Sequence, residues 1–182
     1  LIKTLGIIPS PYLQYYYFEN EMLEKQQMEL KRTGKTRGML VQEINNKLFE
    51  KYSNPELDEK PEELSQRGGS LYSYAALNII EALMSEEPVE LVVNTTNGGA
   101  ISNLLDNDVV ETNCYISSEG VKPIYYGDMP QQITGLVQTV KQYERMTVKS
   151  AITKNKRKAI QALLNHPLIK GYKNACKIVE KA

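Results

Sequence analysis

Apolar positions recur along this 182-residue chain at two periods, about 3.6 residues toward both ends and two in the middle. The opening Ile7-Ile8-Pro9-Ser10-Pro11-Tyr12 reads as an extended entry into a helix that runs to about residue 30. Pro11 suits a first helical position, where its missing N–H costs nothing, Ser10 is a good N-cap, and Thr33-Gly34 supplies a stop. A second helix, predicted over 36–52, places Leu40, Ile44 and Leu48 on one face, and Ser53-Asn54-Pro55 ends it. The polar stretch through Gln66 reads as a loop with a short helical turn. Arg67-Gly68-Gly69-Ser70 follows as a hinge, with Ser70 capping a helix whose inner face carries Ala75, Ala76, Ile79, Ile80 and Leu83.

Pro88 opens the β-rich middle, with strands predicted over 89–94, 109–116 and 122–126. Between the first two lies Thr95-Thr96-Asn97-Gly98-Gly99-Ala100, whose glycines let the backbone turn sharply and approach a ligand or another chain. From Pro130 the pattern is helical again. Ile133, Leu136, Val137, Val140, Val148 and Ile152 trace one apolar stripe, and helices over 156–164 and 168–181 flank Asn165-His166-Pro167. Helices at both ends packed on a small, mainly antiparallel sheet define an α+β fold. No strand–glycine-rich–helix fingerprint occurs, so the chain shows no nucleotide-binding half of its own.

Composition narrows the function classes. Hydrophobic residues make up 41% and charged residues 24%, which argues against wholesale disorder. Twenty-two basic residues meet 22 acidic ones, so no global polyelectrolyte partner is implied. No apolar run of about 18 residues marks a membrane span, and the start carries no signal-peptide pattern. Two cysteines, Cys114 and Cys176, are too few for a disulfide scaffold or a zinc site, suit a reducing compartment, and read as small buried residues. The net charge of zero hides residues 141–182, where eleven Lys or Arg face only Glu144 and Glu180. Without a recognition motif that stretch reads as a solvated face, or one turned to an acidic partner, rather than a nucleic-acid site.

Candidate chemistry centres on two places. Four of the twelve tyrosines fall between residues 12 and 17, either as a half-buried aromatic face or as the source of a base activated by a nearby cation or metal. Arg37 sits at a helix start, where free N–H groups favour an anion and a guanidinium grips phosphate in bidentate fashion; the plain alternative is a solvated arginine. Gly34-Lys35-Thr36 lacks the upstream glycine and strand of a phosphate loop. His166, the only histidine, reads as a turn-capping residue.

Several segments in order resemble the NAD-dependent family-4 glycoside hydrolases, and among them the 6-phospho-β-glucosidases. Leu5 through Tyr17 is similar to that family's "LGxIPSxYLxYYY" segment. Lys35-Thr36-Arg37-Gly38 with Glu43-Ile44, then Arg67-Gly68-Gly69-Ser70 with Tyr72-Ser73, resemble the next two blocks. Val92-Val93-Asn94 and Asn97-Gly98-Gly99-Ala100-Ile101 resemble "VVNxxNNGAI", with Gly98 where Asn is usual. Gly135-Leu136-Val137, Tyr143-Glu144-Arg145 and residues 162–168 complete the series.

The resemblance implies that residues 1–182 are a C-terminal, substrate-side domain fragment, inactive alone, without the Rossmann NAD domain and the Cys and His metal ligands that precede it in the family. Cys114 and His166 do not fall in those ligand motifs. It implies that the intact enzyme uses NAD and a divalent metal, manganese, neither bound by this fragment alone. The chemistry implied is oxidation at C3, removal of the C2 proton by a tyrosine, elimination of the aglycone, and return of water and hydride; such enzymes stand outside the two-carboxylate scheme. Tyr12 corresponds to the base, Arg37 to the arginine that contacts the 6-phosphate or holds the substrate, and Asn97 to the loop lining the site, while the other tyrosines return to packing. The substrate expected is a 6-phospho-β-glucoside from sugar phosphotransferase uptake, the setting cytoplasmic and the assembly a homo-dimer or tetramer, with neither nucleic acid nor membrane as partner. Arg67-Gly68-Gly69 favours the β subgroup. The competing expectation is a non-enzymatic helical module that uses its basic end and exposed apolar faces to bind or oligomerise.

Overall fold

The structure, a computed structural model, describes residues 1–67, 69 and 71–181. It divides into two compact units, residues 11–81 and residues 1–10 with 82–182. The hinge glycine Gly68 and the cap expected at Ser70 lie outside the described residues.

In the unit of residues 11–81, Pro11 opens a 3-10 turn, Pro11–Leu13, which leads into α2, Gln14–Tyr17. The single helix predicted to residue 30 breaks at Phe18, whose φ of −129° and ψ of 43° are not helical, and restarts as α3, Glu19–Thr33. Four successive aromatic side chains from Tyr15 to Phe18 lose rotamer freedom in a helix, so local propensity does little to carry it through. The helix predicted over 36–52 is α4, Arg37–Tyr52, and Thr36 is its cap rather than its first residue, its Oγ1 accepting the Met39 N–H at 3.2 Å. Leu48 is buried on the predicted face, and Leu40 and Ile44 are half-buried. The short helical turn is α5, Glu63–Arg67, where Lys51 of α4 meets Glu63 at 2.7 Å. The Lys51 ammonium, hydrogen-bonded to it, holds the Glu63 carboxyl below its usual range.

The helix α6, Tyr72–Leu83, overturns one expectation. Ala75, Ala76, Ile80 and Leu83 are exposed, Ile79 is half-buried, and Ala82 is the buried residue. Apolar periodicity reports which side chains need cover, not what supplies it.

The other unit is built on an antiparallel sheet of β1, Val89–Thr96, β2, Val109–Ser117, and β3, Gly120–Pro123, in that order. Cys114 of β2 stands opposite Leu91 on one side and Pro123 on the other. Along β2, Val110, Thr112, Cys114 and Ile116 are buried while Val109, Glu111 and Tyr115 are exposed, the period-two alternation of a strand covered on one face. Ala82, Cys114 and Ile116 form its core, with Leu91 and Val93 packed against them. The third strand starts two residues before its predicted place and ends at Pro123, which has no N–H to continue a ladder. Ile124 still donates to the Asn113 carbonyl of β2 at 3.0 Å, and beyond it the backbone turns to the β1–β2 loop: the Tyr126 N–H donates to the Ala100 carbonyl at 2.8 Å, and the Ser102 N–H to that of Gly127 at 2.9 Å.

A short α1, Ile2–Leu5, absent from the sequence reading, closes on Gly6 at φ 66°. Its buried Leu5 accepts a 2.8 Å hydrogen bond from Gln132 Nε2 of α7, Gln131–Thr153. Ile133, Leu136, Val137 and Val140 of the predicted stripe are half-buried, whereas Val148 and Ile152 are exposed. Against α7 packs α8, Lys156–Asn165, and against α8 packs α9, Tyr172–Lys181. His166 serves the turn before α9: its Nδ1 accepts the Leu168 N–H at 3.2 Å, and its ring sits edge-on to Tyr143 at 4.6 Å between centroids.

Cys114 is fully buried, and that burial pushes its thiol above the usual value; Cys176 on α9 is only half-buried. Brief iodoacetamide treatment of the folded protein at mildly alkaline pH is expected to label Cys176 and spare Cys114, as read by mass spectrometry. Equal labelling of both would mean that the sheet core opens readily.

Candidate functional site

The 3-10 turn presents Tyr12 to solvent, with 75% of its surface exposed. Prolines at 9 and 11 fix φ on both sides of Ser10, which sets the chain's approach to this turn. Beyond it on α2, Tyr16 is half-buried. Tyr15 and Tyr17 keep only 38% and 37% of their surface exposed, so Tyr12 is the open member of the cluster and the others are mostly covered.

Arg37 is the first residue of α4. Its Nη2 donates to the Gln66 carbonyl at 2.8 Å, which fixes the guanidinium and leaves its other N–H groups for a ligand. Thr36 serves Met39, so the Arg37 and Gly38 N–H groups are the open donors of the first turn. A cleft of about 630 Å³ lies here, lined by Tyr15, Lys25, Glu29, Thr36 and Arg37 among others. Tyr12 belongs to the same unit as Arg37 but does not line this cleft; Tyr15, one helical turn on, does.

Asn97 belongs to the other unit and has no exposed surface. Its Oδ1 accepts the Ile101 N–H at 2.8 Å, and its Nδ2 donates to the Ile101 and Leu105 carbonyls at 3.0 and 3.2 Å, with Leu104 further off at 3.4 Å. Engaged at both ends by its own loop, the Asn97 side chain orders the loop expected to line the site. Sequence reading missed its companions. Asp108, also buried, accepts Arg145 Nη1 at 2.8 and 2.7 Å on its two oxygens and the Leu105 N–H at 3.1 Å. A visible signal existed: Arg145 falls three residues before Val148 on the apolar stripe of α7, where a charge needs a partner.

Among the described residues no group of three or more His, Cys, Asp or Glu could hold a metal ion. Cys114 is sealed in the sheet core and His166 Nδ1 is committed to its turn. Neither side chain is placed to ligate a metal ion.

Helices with a small three-stranded antiparallel sheet make this an α+β domain of the kind found at the C-terminal end of glycosidases. The chain belongs to the family 4 glycosyl hydrolases: residues 1–169 match that family's C-terminal domain. It is 40% identical over 92% of its length to a probable 6-phospho-β-glucosidase of Bacillus subtilis, of which it spans 38%. A phospho-α-glucosidase of Clostridium acetobutylicum is 26% identical over 86% of this chain, which spans 35% of it. The fold superposes with a TM-score of 0.83, at 36% identity, on the 6-phospho-β-glucosidase of Thermotoga maritima solved with manganese, NAD+ and glucose 6-phosphate. That match covers 99% of this chain and 42% of the solved one.

Proposed function

We propose that this chain is the substrate-side part of a 6-phospho-β-glucosidase, with Tyr12 as the base and Arg37 as a phosphate-binding cation. The observation that carries the reading is Arg37, held by the Gln66 carbonyl at the mouth of a cleft with open N–H donors beside it. Identity of 40% to a relative named for β-glucosides, against 26% to one named for α-glucosides, supports the β assignment. The exposed apolar faces that favour the alternative, a non-enzymatic module, are equally those a domain of a larger enzyme leaves for its neighbours.

The proton at C2 is acidic only while C3 is a ketone, a state that NAD and a divalent metal supply in the complete enzyme. This chain's part is then proton transfer and grip. The Tyr12 phenolate oxygen takes the C2 proton. The electron pair left behind forms the C1–C2 double bond as the C1–O bond breaks and the aglycone leaves. Water adds across that bond, its hydroxyl to C1 and its proton to the departed aglycone oxygen, and Tyr12, its hydroxyl having exchanged with solvent, gives a proton to C2. Arg37 holds the 6-phosphate away from the reacting carbons, where binding energy serves to orient them. We place the reaction in the cytoplasm, where sugars phosphorylated on uptake arrive, and in a homo-oligomer.

The test is a paired assay of the protein that carries this chain, with 6-phospho-β- and 6-phospho-α-glucosides, with NAD and manganese supplied or withheld. Turnover of the β substrate that needs both additions is the expected result; equal turnover without NAD overturns the reading. Arg37→Ala is expected to raise KM for the phosphorylated substrate by roughly ten- to a hundredfold, the worth of a charge-assisted bond, and to leave unphosphorylated analogues much less affected. An equal effect on both excludes a phosphate contact.

A further inference from the structure

Resting on that assignment of Arg37, we propose that Lys25 supplies the second cation of the same phosphate site and makes the cleft selective for a dianionic sugar phosphate. A phosphate monoester carries close to two negative charges at neutral pH, and one guanidinium leaves much of that charge unmatched. Lys25 projects from α3 into the cleft that Arg37 enters from the start of α4, so the two cations come from different helices onto one space.

Glu21 and Glu29 lie one turn to either side of Lys25 on α3, and neither pairs with it. Glu29, the carboxylate in the cleft lining, is engaged by Arg32 at 2.9 Å, and Lys25 makes no ion pair among the described residues. Lys35, the other cation near the start of α4, is bound to Glu43 at 2.7 Å and does not line the cleft. The remaining donors are suited to phosphate oxygens: the Arg37 and Gly38 N–H groups and the phenol of Tyr15. Arg37 provides a planar fork for two oxygens, whereas the Lys25 ammonium acts as a mobile point charge for the third.

The test is calorimetric binding of glucose 6-phosphate to the full protein, comparing Lys25→Met, Lys25→Arg and Arg37→Ala with the parent. Lys25→Met is expected to raise Kd roughly tenfold, as loss of one hydrogen bond to a charged group does, and to flatten its dependence on salt. Lys25→Arg, which keeps the charge, should stay within about threefold of the parent. An unchanged Kd in Lys25→Met, or an equal loss in Lys25→Met and Lys25→Arg, overturns the role of Lys25. If Arg37→Ala also leaves Kd unchanged, the phosphate assignment of the cleft fails with it. A loss in Arg37→Ala alone leaves that assignment standing and removes only the second cation. Lys25 is exposed and carries no packing role, so both of its variants should fold as the parent does.

Discussion

Replacing Tyr12 by Phe in the protein that carries this chain is expected to lower kcat by about 10²–10⁴-fold, the range over which a positioned base accelerates proton transfer. KM for the phosphorylated substrate should change little, because the ring stays and only the oxygen goes. NAD binding should be unaffected. The exposed 3-10 turn makes the substitution clean: Tyr12 is not part of a core whose loss would unfold the chain. A more direct reading follows the proton itself. During turnover in heavy water the parent should deliver deuterium to C2 of the product, and Tyr12→Phe should suppress that incorporation together with the rate. Tyr15→Phe is the informative control, since Tyr15 lines the Arg37 cleft while Tyr12 does not. If Tyr15→Phe abolishes C2 exchange and Tyr12→Phe leaves turnover near normal, the base belongs to α2 and Tyr12 is removed from the mechanism.

What the sequence revealed and concealed follows from the range of the interactions involved. The α4 start was legible because Thr36, Arg37 and the Met39 N–H lie within three residues, and the β2 alternation because each strand residue reports its own face. The end of β3 was not. Tyr126 leaves the ladder for the Ala100 carbonyl, a partner 26 residues away that no local periodicity encodes. The break at Phe18 was concealed for the opposite reason: the apolar spacing there suits a helix, and only the clustering of aromatic rings argues against one. For the proposed site, resemblance pointed to Tyr12 and Arg37, whereas Lys25 and Tyr15 become neighbours of Arg37 only through the tertiary fold. At Asn97 the structure adds which groups the amide serves, the Ile101 and Leu105 backbone, which sequence similarity does not state. Gly98 fits the same logic. At φ 51°, with only the Thr96 carbonyl oxygen within 4.0 Å of an added Cβ, its position admits the Asn usual in the family, a residue that tolerates the left-handed region better than most.

The loop that Asn97 organises is held by hydrogen bonds to two buried polar side chains. Asn97→Ala is expected to destabilise its unit by about 1–3 kcal/mol, because the Ile101 N–H loses its partner and the Ile101 and Leu105 carbonyls keep only the Leu104 and Asp108 N–H groups. For a unit of this size that corresponds to a melting temperature lower by roughly 10 °C, read by calorimetry. Asn97→Asp should be worse at neutral pH, since a carboxylate there faces carbonyl oxygens where the amide had donated. Those oxygens and the burial raise the introduced group's pKa in the folded state. The penalty is therefore full above that raised pKa and relieved as pH falls through it, so the variant should recover relative to the parent toward acid pH. Arg145→Met attacks the other end of the same loop, leaving the buried Asp108 carboxylate with the Leu105 N–H; roughly 2–3 kcal/mol is expected, less than for a fully buried pair because Arg145 is about one third exposed. The two substitutions loosen one structure, with the Asn97 N–H bound to the Asp108 carbonyl at 2.7 Å between them. Their combined cost should fall short of the sum of the single costs by at least about 0.5 kcal/mol. Strict additivity would show that Asn97 and Asp108 secure separate parts of the loop, and an Asn97→Asp variant with no acid recovery would show that water reaches the amide's pocket.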